Sequence, residues 1–300
     1  MGGEFFGAAW LQYALSGVTI GAIYALVAIG YNIIYNVTEI INFAQGEFVM
    51  LGGLFGVFYY QTCGLPLVLA VLSAVVTVGV VGLLLERYVI RRARHATVLS
   101  MIIVTIAFSI LLKGGAMLAW GKDPYRLPAF SRGGVFLWQG VAVQPQALWV
   151  LGISAVVVAA LTLFFRKSFY GKAMLACADN PSAARLVGIP VRTMVLLSFA
   201  LSATVGAVAG AVICPITLME YDRGALLGLK GFGAAVLGGL GQFSGALVAG
   251  IVLGLSESFC AGYLSSGYKD AVALVLLLSA LFFKPEGLFG SKEAAGLKRF

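Results

Sequence analysis

Apolar runs close to 20 residues long recur along the whole of this chain, and no other feature restricts its fold so strongly. A helix needs about 20 apolar residues to cross the hydrocarbon core of a bilayer. Inside that core every backbone N–H and C=O must find a partner within the protein, so only helices or closed barrels can cross. The runs lack the alternation of barrel strands, which leaves helices. Composition agrees. Only 11% of the 300 residues are charged, against about 25% in soluble domains, and mean hydropathy is +1.00. The expected fold class is all-α: a polytopic integral membrane helix bundle of roughly 8–10 spans, in which residues 1–300 form a single transmembrane domain.

The pattern predicts spans over 9–35, 40–60, 65–85, 98–118, 147–165, 193–213, 224–260 and 261–283. Within the seventh, "GGLGQFSG" (Gly238 to Gly245) interrupts the helix with glycines and polar residues. Basic residues set the orientation. Arg87, Arg91, Arg92 and Arg94 lie in one connector. Arg166, Lys167, Lys172, Arg185 and Arg192 lie in segment 166–192, and Lys284, Lys292, Lys298 and Arg299 lie in the tail. These thirteen of the 20 basic residues place all three segments in the cytoplasm. Connector 119–146, with Pro124, Pro128 and Pro145, then lies outside. Crossing parity requires 224–260 to hold a full span and a second, shorter or broken one.

Gly17/Gly21, Gly52/Gly56, Gly206/Gly210, Gly224/Gly228, Gly241/Gly245 and Gly250/Gly254 have small-xxx-small spacing, which lets helix backbones approach closely in lipid. No Lys or Arg precedes the first run, so residues 1–9 read as a short lead-in rather than a secretory signal. Cys63, Cys177, Cys214 and Cys260 lack metal-ligand or CxxC spacing and read as small apolar side chains. His95 is the only histidine and sits among arginines. The net charge of +8 lies mostly beside spans, which argues against a nucleic-acid partner.

Two stretches depart from apolar filler. "IINFAQGEFVM" (Ile40 to Met50) puts Asn42, Gln45 and Glu47 between two apolar runs. Read as a continuous helix at roughly 100° per residue, Glu39, Asn42 and Gln45 form one polar stripe, with Glu47 off it. Gly46 could break the helix and turn Glu47 inward. Such polar groups either line a wet interior pathway or form an interfacial turn in the headgroups. The second stretch is "YGKAMLACADNPSAARLVGIP" (Tyr170 to Pro190). Asn180 suits an N-cap, Pro181 the first helical position, and Gly188 the stop, with Pro190 just beyond. Ala183, Leu186 and Val187 make a small apolar face beside Arg185. So short a helix is marginal alone. It packs either on the protein's own surface or into a partner subunit.

Taken together, "GVTIGAIYALVAIGYNIIYNVTEIINFAQGEFVMLGG", the Tyr170–Gly210 segment, "GLKGFGAAVLGGLGQFSGALVAGIVLGLSE", "YKDAVALVLLL" and "KPEGLFG" resemble, in order, the branched-chain amino acid ABC transporter permeases of the LivH type. The resemblance covers most of the chain and is weakest over 54–84 and 119–165. It departs at three places. Gln45 stands where the family usually has His, keeping hydrogen bonding without titration near neutral pH. "ERYVIRRAR" lacks the family's proline, and "GQFSGA" replaces "GSIPGA".

The resemblance implies a type II ABC importer-like permease in the cell (inner) membrane, most simply for branched-chain, hydrophobic amino acids. Its implied partners are a second related permease, two ATP-binding cassette ATPase subunits, an extracytoplasmic substrate-binding protein and membrane lipid. The chain has no GxxxxGK[ST], so ATP must be held by another subunit. By the same resemblance, 166–192 is the cytoplasmic coupling segment, with Asn180, Pro181, Ala184, Arg185, Leu186 and Gly188 as the residues that couple to the ATPase. Asn42, Gln45, Glu47 and, secondarily, Asn32 are the translocation-pathway candidates, while Glu257 and Asp270 tie helices together. No cofactor or metal is expected. Three other readings stay open: a permease of the same family for urea or short amides, a stand-alone secondary transporter coupled through Glu47, Glu257 or Asp270, and a membrane enzyme. The last lacks any nucleophile–histidine pair, metal cluster or paired acids.

Overall fold

The computed structural model describes residues 2–93, 97–131, 133–138, 140–284 and 286–289. Arg94, His95, Lys292, Lys298 and Arg299 of the charge analysis lie outside the described residues. The helices are α1 (Gly2–Thr38), α2 (Gln45–Val57), α3 (Leu67–Leu84), α4 (Val98–Trp120), α5 (Pro145–Lys167), α6 (Phe169–Asp179), α7 (Pro181–Leu186), α8 (Val191–Ile213), α9 (Arg223–Gly238), α10 (Phe243–Tyr263) and α11 (Lys269–Phe283). Short π-helical turns prolong α2 (Phe58–Thr62) and α3 (Leu85–Ile90). A hairpin of β1 (Phe136–Trp138) and β2 (Val141–Val143), with Leu137 opposite Ala142, precedes α5.

Among the described residues, seven helices are long and apolar enough to cross a membrane: Ala9–Thr38, Leu67–Ile90, Val98–Trp120, Pro145–Lys167, Val191–Ile213, Phe243–Tyr263 and Ser266–Phe283. This is a multi-pass, all-α membrane architecture. Region 224–260 is indeed two helices. The 16 residues of α9 fall short of a full span, and α10 supplies one. They part at a turn where Gly239 and Gly241 have φ of 101° and 90°, a left-handed backbone that side chains disfavour. Region 40–60 also differs from a plain span. Its first residues are not helical, and α2 begins only at Gln45.

The chain divides into two compact units. One comprises 30–128 and 155–229 and is referred to as the α8 unit. The other comprises 1–29, 129–154 and the chain from 230 onward, the α10 unit. In the α8 unit, α8 is buried over most of its length and receives α2 and α3. A Cβ at Gly52 would collide with the backbone of Ala207, and one at Gly210 with the carbonyl of Val49. Where α3 meets α8, a Cβ at Gly82 would meet Ala203 and Phe199. In the α10 unit the same device joins α1 and α10, with Gly17 and Gly21 set against Gly254 and Gly250. Close backbone approach suits lipid, where apolar side chains gain nothing by leaving the solvent.

Candidate functional site

The α8 unit contains a non-helical break between α1 and α2, and the local chain chemistry explains it. The amide of Glu39 still donates to Tyr35 O at 2.8 Å, but Glu39 has φ 56°, a left-handed residue that ends the helix. The side chain of Asn42 then brackets the start of α2. Its Oδ1 accepts from Ala44 N at 3.1 Å, while its carbonyl accepts from Gln45 N at 3.1 Å. Thr105 of α4 holds the break from outside, its Oγ1 accepting from Phe43 N at 3.2 Å. The continuous polar stripe expected for Glu39, Asn42 and Gln45 is therefore absent. Glu39 is exposed and ends one helix, Asn42 lies in the break, and Gln45 opens the next helix. Nor does Gly46 make the break. It lies in the first turn of α2, where a Cβ would strike Gly224 and Gly228 of α9.

Asn32, Asn42, Gln45 and Glu47 are all fully or almost fully buried. Their polar atoms are in different situations. Gln45 is tied to α8: its Nε2 donates to Ser202 O at 3.2 Å and its Oε1 accepts from Ser202 Oγ at 2.6 Å. The same hydroxyl lies 2.7 Å from Gly30 O. Glu47 Oε1 accepts from Ser109 Oγ of α4 at 3.0 Å. Its Oε2 has no hydrogen-bond partner among the described residues, and neither has Asn42 Nδ2. Glu47 Oε2 lies against the bare Cα of Gly224, where a side chain would crowd it. One buried acceptor and one buried donor thus stand unused, five residues apart across the break. Leaving such a group unmatched costs about 1–3 kcal/mol.

The same unit carries the elbow α6–α7. Asn180 caps α7 through Oδ1, which accepts from Ser182 N at 3.0 Å and Ala183 N at 2.9 Å, and Pro181 occupies the first helical position. Ala184 is buried, and its carbonyl accepts from Ile189 N at 2.9 Å. Gly188 closes the turn with φ 85°, its amide donating to Arg185 O at 3.1 Å. Only Ala184 anchors the helix inward. Leu186 is 90% and Val187 76% exposed, with Arg185 exposed beside them. A capped, six-residue helix and the residue that ends it therefore present two aliphatic side chains outward.

Glu257 and Asp270 do tie helices together, but the sequence reading missed the residue that joins them, Lys230. In the α10 unit, Lys230 of α9 lies 2.9 Å from Glu257 Oε1 of α10 and 2.7 Å from Asp270 Oδ1 of α11. Tyr24 of α1 donates to Glu257 Oε2 at 2.8 Å. Lys230 and Glu257 are each 5% exposed. The signal was present: a lysine inside the apolar run "ALLGLKGFGAAV" is an intramembrane cation that needs a named partner.

The family described as "Branched-chain amino acid transport system / permease component" matches residues 13–281. The high-affinity branched-chain amino acid transport system permease protein BraD of Pseudomonas aeruginosa is 32% identical over 297 residues, covering 95% of this chain and 97% of that protein. The permease protein LivH of Escherichia coli K12, from the corresponding high-affinity system, is 32% identical over 302 residues, covering 95% and 96%. A chain of PsaBC from Streptococcus pneumoniae, solved in complex with Fab, has a similar fold. Its TM-score is 0.51 at 15% identity, over 96% of this chain and 98% of that one.

Proposed function

Because the chain belongs to the family of branched-chain amino acid transport permease components, we propose that it is a membrane-spanning subunit of an ABC importer for branched-chain, hydrophobic amino acids. It forms half of the translocation pathway with a second permease. Substrate arrives from an extracytoplasmic binding protein, and energy arrives from two ATPase subunits. The observation that carries the ATPase contact is α7, which holds Leu186 and Val187 outward on a chain that has no P-loop. Asn180, Pro181 and Gly188 fix the shape of the peg, Ala184 seats it, and Arg185 and Leu186 meet the partner. A conformational change in the ATPase can reach the membrane helices only through contacts that differ between the two states.

The pathway is assigned to the break before α2. A zwitterionic amino acid brings an ammonium donor and a carboxylate acceptor. Glu47 Oε2 and Asn42 Nδ2 offer the complementary acceptor and donor. Gln45 fixes α2 on α8 through Ser202 and positions both, and Asn32 belongs to the same buried region.

Leu186→Asp tests the coupling assignment, because so exposed a site tolerates the change in the fold. The variant is expected to insert normally, lose ATPase co-purification and lose uptake in vesicles. Normal uptake would remove α7 from the coupling role. Gly188→Val should act similarly, since the left-handed backbone there costs a branched residue roughly 1–2 kcal/mol.

A further inference from the structure

Lys113 interrupts the apolar run "SILLKGGAML" of α4, inside a membrane-spanning helix. A cation there is costly and marks a functional site unless a partner neutralises it. Among the described residues Lys113 has no hydrogen bond and no ion pair. Its ammonium lies over the Tyr221 ring, 5.5 Å from the centroid, and an aromatic face attracts a cation without neutralising it. Arg223, two residues further on, is already paired with Glu220 at 2.9 Å. The neighbours of Lys113 lead to Glu47 from two sides, all within the α8 unit. Ser109, one turn back on the same face of α4, donates to Glu47 Oε1 at 3.0 Å. Tyr221 stands three residues before Gly224, whose bare Cα faces Glu47 Oε2. The ammonium and the carboxylate therefore border one space. The charge of Lys113 acts on Glu47, as does that of Asp222, yet Lys113 forms an ion pair with neither. Glu47 is 1% exposed with Oε2 unmatched, whereas Lys113 and Tyr221 are half-buried, so the lysine side is the accessible one.

We infer that Lys113 receives the carboxylate of the transported amino acid while Glu47 Oε2 receives its ammonium, an inference that rests on the importer reading and refines its pathway. An α-amino acid carries opposite charges on neighbouring groups. An acid and a base that border one space without pairing can meet both at once, each through a charge-assisted hydrogen bond. Lys113 thereby adds a charge to the neutral donor that Asn42 supplies. The same arrangement selects against uncharged cargo. Protein charges taken out of water are compensated only by a counter-charge, and urea or a neutral amide brings none to either residue.

The test is ATP-driven uptake of radiolabelled leucine by the assembled transporter in vesicles, with its binding protein present. Lys113→Met keeps the length of the side chain and removes its charge. It is expected to lower uptake about 10- to 100-fold with the complex still assembled and its unfolding temperature unchanged. Lys113→Arg, which keeps the charge, should stay within a few-fold of the wild type. Wild-type uptake by Lys113→Met overturns the inference and leaves the importer reading standing. Equal loss in the two variants also overturns it, because charge is then not the agent. An absence of leucine uptake by the wild-type assembly overturns the importer reading, and the inference with it. A second measurement needs no variant. Leucine carrying a diazirine in its side chain, photolysed in the wild-type transporter during turnover, should crosslink to α2, α4 or the turn that leads into α9. Crosslinks confined to other elements overturn the inference even if Lys113→Met fails to assemble.

Discussion

At the scale of single residues, the break before α2 separates side chains that look alike in the sequence. Gln45 has both ends of its amide bound to Ser202, whereas Glu47 keeps one carboxylate oxygen free. Gln45→Leu should therefore act on stability. The two bonds that hold α2 to α8 through Ser202 are lost, at a cost of about 0.5–1.5 kcal/mol each, measurable by thermal unfolding in detergent. Glu47→Gln should act on transport. It keeps an oxygen for Ser109 but replaces the free acceptor with a donor. A hydrogen bond to a charged group is worth roughly 1.5–3 kcal/mol, so uptake should fall about 10- to 100-fold with the complex still assembled. Wild-type uptake by Glu47→Gln would exclude the carboxylate from the pathway. The residues of this site were legible as polar intrusions in apolar sequence. Their different situations were not, because the distinction depends on Ser202 and Ser109, more than 60 residues away and unremarkable in themselves.

At the scale of elements, local chemistry was readable where it is local. Asn180, Pro181 and Gly188 announce the start and end of α7, and the structure has the cap bonds and the positive φ in place. "GGLGQFSG" likewise announces the turn between α9 and α10. The break before α2 was misplaced at Gly46, since the residue that ends α1 is Glu39. A carboxylate in a left-handed conformation carries no sequence signature comparable to glycine's. The hairpin at Phe136–Val143 was also missed: its strands have three residues each, and Gln12 pins it from far along the chain. Glu257 and Asp270 do tie helices together, but through Lys230, which joins α9 to α10 and α11. Removing one partner of a buried pair is costlier than removing both. Lys230→Met should destabilise the fold by about 3–5 kcal/mol, and Glu257→Gln added to it should restore much of the loss. Asp270→Asn, at a side chain 48% exposed, should cost about 0–1 kcal/mol. Thermal unfolding of the four proteins decides it. Equal loss in the single and double variants would mean that the cluster is not held by charge.

For the whole molecule, the membrane class follows from the length and recurrence of the apolar runs, and it survives every local correction. Small residues at four-residue spacing announced that backbones would meet. Which helices meet had to come from the structure: Gly52 serves α8, whereas Gly17 and Gly21 serve α10. Spacing within one helix says nothing about the identity of its neighbour. The division into two units, with α1, α5 and α9 each contributing to both, likewise has no linker or change of composition to mark it.

The central claim is that this chain moves substrate only as part of an ATP-driven assembly. The most direct measurement is purification of the native chain in mild detergent, identification of what accompanies it, and uptake by the reconstituted material with and without ATP. The account predicts a second permease and two ATPase subunits, with uptake strictly dependent on ATP. A lone homo-oligomer that transports amino acids without ATP would contradict it.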